Sequence, residues 1–133
     1  MSRESLIGRA EALSRDISLS GEYTEYLQAR EKAFENPSTK ALIDRYHRLQ
    51  LKAQGSMLSG KKAENTVVEE LQKLGELLQF QPAASRYLMA EYTLHELMAQ
   101  VYGALGSCLD MDMPYPEEEE EGEESVQEAG GHE

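Results

Sequence analysis

The sequence predicts an all-α protein of four to five helices with a long C-terminal helix. Three observations carry that expectation. Apolar residues recur at spacings of three and four along most of the chain, the period of one face of a helix. No stretch alternates apolar and polar as a half-buried strand does. No Asn-Gly or Asp-Gly pair marks a tight hairpin.

The first segment covers residues 2–20. Leu6, Ala10, Leu13 and Ile17 lie on one helical face, and Ser2 suits the N-cap position. Ser18, Ser20 and Gly21 weaken its far end. The second, 22–35, places Tyr23, Tyr26, Leu27, Arg30 and Phe34 on one side. Asn36-Pro37 then punctuates the chain: Asn36 can cap a helix, and Pro37 fits its first turn, where an N–H has no partner anyway. The third segment, 37–54, has Leu42, Ile43, Tyr46, Leu49 and Ala53 as its apolar face. Gly55-Ser-Met-Leu-Ser-Gly60 reads as a connector. The fourth, 61–79, carries a stripe of Val67, Val68, Leu71, Leu74, Leu77 and Leu78, and Pro82 opens a new element.

The fifth segment, 82–109, is the longest, about 42 Å of helix at 1.5 Å per residue. Its main stripe is Ala83, Tyr87, Ala90, Leu94, Leu97, Val101, Ala104 and Cys108. A second apolar set, Leu88, Met98, Tyr102, Leu105 and Leu109, flanks it. Two sets exceed the single stripe of a surface helix. The helix is either the centre of a monomeric bundle or serves both the core and another subunit, and its length favours the second. Leu88, Met98, Tyr102 and Leu105 are the expected interface residues. Ala99, Gly103 and Ser107 form a small-residue line. Gly103 and Gly106 mark either a close approach by another helix or a frayed helix end.

Charge divides the chain in two. Of 133 residues, 13 are Lys or Arg and 25 are Asp or Glu, for a net charge of -12. Residues 1–109 hold all 13 bases against 14 acids, a net charge of -1; residues 110–133 hold the other 11 acids and no base. The expected organisation is a helical domain over 1–109 and a disordered acidic tail over 110–133. With Pro114, Pro116 and a run of five Glu at 117–121, the tail buries too little apolar area to offset its ordering entropy. It serves solubility, with binding to a partner or mimicry of nucleic-acid charge as the alternative.

Several function classes fall away. Cys108, the lone cysteine, forms no internal disulfide and, at the end of the main stripe, reads as a packed small hydrophobe. No cofactor is expected, since no Cys- or Cys/His-rich motif can build a zinc or iron–sulfur site from one chain. The body has no basic excess, so direct nucleic-acid binding is not expected. No apolar run of 18 residues is present, so neither is membrane insertion. The start lacks a basic segment followed by an apolar core, and with a free thiol this points to the cytoplasm. No serine sits in Gly-x-Ser-x-Gly. His47 lies beside Asp44, Tyr46 and Arg48 and reads as a helix-surface residue with local pairing. Glu91 and His95, four apart, with Glu96, are the residues a small-ligand or metal-binding bundle would use, but a catalytic metal needs about three protein ligands.

Two stretches together carry a resemblance. The first is Ala12-Leu13-x-x-x-Ile17, Tyr23-x-x-Tyr26, a polar turn, Lys40-Ala41-Leu42-Ile43 and Leu49-Gln50. The second is Leu77-Leu78-x-x-Gln81-Pro82, Arg86-Tyr87-Leu88-x-Ala90-Glu91 and Leu97. In order and spacing these resemble the YlbF/YmcA family of small helical regulators of Gram-positive bacteria, over residues 8–109. The resemblance implies self-association, no catalytic activity and an adaptor role. In the best-studied case, family proteins join a third, unrelated protein in a complex that affects competence, sporulation and biofilm formation. That complex is linked to messenger-RNA processing by the endoribonuclease RNase Y. The implied partners are the chain itself, related helical regulators and an endoribonuclease complex. Some members hold iron–sulfur clusters through a Cys-rich tail; here the tail is acid-rich and only Cys108 precedes it.

Overall fold

The structure is a computed structural model that describes residues 1–60 and 64–110. Among these residues there are five helices and no strand: α1 (Arg3–Ser18), α2 (Gly21–Phe34), α3 (Pro37–Leu58), α4 (Asn65–Gln79) and α5 (Pro82–Gly106). The all-α expectation holds. The acidic tail from residue 111 onward lies outside the described residues.

Local chemistry sets the helix starts. Ser2 Oγ accepts from the Ser5 N–H at 3.1 Å, and Ser20 Oγ accepts from the Tyr23 N–H at 3.1 Å. Asn36 Oδ1 accepts from the Ser38 and Thr39 N–H groups at 2.9 and 3.3 Å, with Pro37 in the first turn. Each cap satisfies donors that a helix N-terminus otherwise leaves open.

Three boundaries differ by more than two residues from the sequence reading: α4 starts at Asn65 rather than at 61, α5 ends at Gly106 rather than at 109, and α3 runs on past its expected end. Gly55 to Leu58 were expected in a connector, yet α3 continues through them. The chain leaves the helix at Ser59 and Gly60, and Gly60 has a φ of 82°, a left-handed conformation that glycine adopts without strain. A glycine inside a helix costs about 1 kcal/mol relative to alanine. Leu49 and Ala53 pack against the core just before Gly55, whereas Met57 and Leu58 in the last turn are exposed.

The chain divides into two compact units, residues 1–91 and 92–133. The core belongs to the first. It consists of Ala29 and Ala33 from α2, Ile43 and Leu49 from α3, Val67, Leu74 and Leu78 from α4, and Ala84, Tyr87 and Ala90 from the start of α5. Ile43 and Leu78 are fully buried. Helix α3 packs most extensively on α4. Gly75 of α4 faces the Tyr46 ring of α3, where an added Cβ would sit 3.4 Å away in ordinary van der Waals contact. Thr39 Oγ1 donates to Gln81 Oε1 at 3.1 Å, tying the start of α3 to the end of α4. Arg45 pairs with Glu70 farther along the same two helices.

Helix α1 is the exception in this unit: it buries no residue. The second unit, among described residues, is the remainder of α5 and a short turn to Asp110. Leu94, Leu97, Met98, Val101 and Tyr102 are half-buried there, and Leu105 is exposed.

Candidate interaction faces

The densest cluster of polar and aromatic side chains lies where α2, α3 and the start of α5 meet. Tyr87 is its hub. Its ring centroid is 5.7 Å from Tyr26, 5.5 Å from Phe34 and 6.1 Å from His47, the last edge-on. Tilted and edge contacts of this kind suit the ring quadrupoles. Burial first, then the Tyr26 hydroxyl and the negative charge of Glu91, push the Tyr87 phenol well above its ordinary range. The guanidinium of Arg30 lies 5.3 Å from the Tyr26 ring centroid.

Two charge pairs flank the hub. Arg86 Nε and Nη2 donate to the two carboxylate oxygens of Glu25 at 2.7 and 2.9 Å. This forked geometry lowers the Glu25 carboxyl below its ordinary value and raises the guanidinium, through the hydrogen bonds first. His47 Nε2 meets Glu91 Oε1 at 2.9 Å.

His47 was expected to pair locally on its own helix. It reaches across to α5 instead. Glu91 is thereby engaged with a residue 44 positions away, while His95 and Glu96 are exposed. Among the described residues no three His, Cys, Asp or Glu side chains converge as metal ligands would. Cys108 was expected to pack at the end of the α5 stripe. It is exposed, because α5 ends at Gly106 and Cys108 sits in the turn that follows, off the helical period.

A groove of about 380 Å³ opens beside the first cluster, lined by Lys32, Ala33, Asn36, Thr39, Phe80 and Gln81 among others. Phe80, 83% exposed, stands at its rim. The groove holds no nucleophile paired with a base.

The remaining candidates are helix faces. On α1, Leu6 and Ile7 are 53% and 52% exposed, and Ala10 also faces solvent. Of the four expected interface residues, Leu88 is half-buried and packs against the core of the first unit. Met98 and Tyr102 are half-buried in the second unit, where Leu105 is 55% exposed. Gly103 meets nothing within 4 Å of an added Cβ among the described residues, so no close helix approach explains it there. No helix among those residues is long and apolar enough to cross a membrane.

Such features define a small protein, all-helical over the described residues, with exposed apolar side chains on its helix faces. The chain belongs to the YlbF/YmcA family, described as control of competence regulator ComK; the family model matches residues 6–110. It is similar to a UPF0342 protein of Symbiobacterium thermophilum, 33% identical over 106 residues, covering 80% of this chain and 95% of that protein. A UPF0342 protein of Halothermothrix orenii is 26% identical, over 77% of this chain and 86% of its own length. One from Caldicellulosiruptor saccharolyticus is 22% identical, over 74% and 82%. No solved structure matches the chain. Family membership supports a regulatory role.

Proposed function

We propose that this protein is a non-enzymatic cytoplasmic adaptor that regulates by protein–protein contact, through self-association and contact with related helical regulators. Its target is an endoribonuclease complex of the RNase Y type, and through messenger-RNA processing it influences competence, sporulation and biofilm formation. The observation that carries the reading is a competence-regulator family match over residues 6–110 on a chain whose α1 buries nothing. Leu6 and Ile7 on α1, and Leu105 on α5, leave apolar area open of the kind that partner helices cover. An adaptor of this kind acts by binding one state of its partner more tightly than another; equal binding would shift nothing.

The test is an affinity capture of the full chain from its native cytoplasm after mild crosslinking, with a tag-only control. Recovery of an endoribonuclease or of companion helical regulators is the expected outcome. Recovery of the bait alone would remove the RNA-processing role.

A further inference from the structure

Helix α1 carries an apolar stripe that it buries nowhere in its own chain. Leu6, Ala10, Leu13 and Ile17 recur along it at spacings of four, three and four. Leu6 and its neighbour Ile7 are more than half exposed, Ala10 is exposed, and Leu13 and Ile17 are half-buried. Alternating spacings of this kind form the seam against which a second helix packs.

The charges of α1 decide which helix fits. Glu4, Glu11 and Arg15 lie on the side away from the stripe. Arg9 and Asp16, seven positions apart, lie together along one edge of it. Neither has an ion-pair partner among the described residues.

A second copy of α1 can meet this edge in either direction. Run in the same direction, Arg9 faces Ser14 of the second copy and Asp16 faces its Gly21, so both charges stay unpaired. Run in opposite directions about a two-fold axis, Arg9 of each copy faces Asp16 of the other. The same register sets Leu6 against Ile17 and Ala10 against Leu13, and lays Ile7 over Ser14. The layers nearest the axis thus put a small side chain opposite a large one. Seam and charges match themselves in a single arrangement, as a two-fold contact between identical surfaces requires. Exposed ion pairs add little affinity, and their effect here is to fix direction and register.

We propose that α1 pairs with α1 of a second copy, antiparallel about a two-fold axis at the level of Glu11 and Ala12. Leu6, Ala10, Leu13 and Ile17 are its seam, and Arg9 with Asp16 is its reciprocal charge pair. The proposal rests on the self-association in the adaptor reading and gives it a face and a direction. The α5 face at Met98 and Leu105 is a separate surface that this contact does not need.

The experiment is sedimentation of the full chain at low salt, as wild type, Arg9→Asp, Asp16→Arg and an equimolar mixture of the two variants. Arg9→Asp leaves two acids on the edge, and Asp16→Arg leaves two bases. Each variant alone should associate about tenfold more weakly than wild type, because both symmetric pairs turn from attraction to repulsion. The mixture should regain the wild-type affinity, since every pair between positions 9 and 16 is again of opposite sign. Circular dichroism should show unchanged helical content throughout. A mixture as weak as the single variants would overturn the antiparallel register. A wild-type assembly that neither variant changes would leave self-association standing and overturn this face. A wild-type chain that stays monomeric would remove self-association itself and the proposal with it. Affinity capture of the bait alone bears only on the RNA-processing role and leaves these outcomes as they are.

Discussion

Tyr87 shows what a single position adds once its neighbours are known. Its place on the α5 stripe is legible from spacing alone, and it is buried as that stripe predicts. Its ring partners are not legible: Phe34 and His47 lie 53 and 40 positions upstream, and no local pattern links them. The same holds for Glu25 with Arg86, 61 positions apart. Burial of the phenol raises its folded-state value above the ordinary 10.0. The neutral form is therefore favoured by folding. Its stabilising effect is complete below pH 10 and is lost as pH rises above that toward the raised folded value. In a spectrophotometric titration, one of the seven tyrosines should resist ionisation until the fold opens. Tyr87→Phe should remove that late step. A Tyr87→Phe titration that keeps it would assign the shift to another ring.

At the scale of elements, starts were more legible than ends. Ser2, Asn36-Pro37 and Pro82 mark helix beginnings through chemistry confined to one turn, and the structure starts helices there. The end of α3 was not legible because a single helical glycine carries only a small penalty and need not end a helix. The buried residues of α2 were also missed. Ala29 and Ala33 are wholly buried while the larger Tyr26 and Phe34 are half-buried. Their spacing of four was visible in the sequence; that small side chains mark the closest approach was not. Gly55 gives this scale its prediction. Nothing lies within 4 Å of an added Cβ there among the described residues. Gly55→Ala should therefore raise stability by about 0.5–1 kcal/mol, through the alanine's helix preference and a less disordered unfolded chain. Chemical denaturation checks this through a higher midpoint at unchanged slope. A destabilised variant would show that α3 ends before Gly55 in solution.

For the whole molecule, the decisive property is unequal use of apolar surface. The first unit gathers its core from α2, α3, α4 and the start of α5, while α1 contributes no buried residue. The sequence shows every helix as amphipathic, and amphipathicity alone does not say which face finds its partner within the chain. Of the interface set, Leu88 is already engaged with the core, so its substitution mixes folding with assembly. Met98 and Leu105 give the cleaner test of self-association, and they lie on the part of α5 outside that core. Met98→Glu or Leu105→Glu places a carboxylate where a partner helix would have to bury it, and an unpaired buried charge costs several kcal/mol. Sedimentation should show the assembly shifting to smaller species for either variant, with helical content retained. Sedimentation unchanged by both substitutions would remove this face from the interface. The open face of α1 would then be the one to change, with Leu6→Glu as the corresponding substitution.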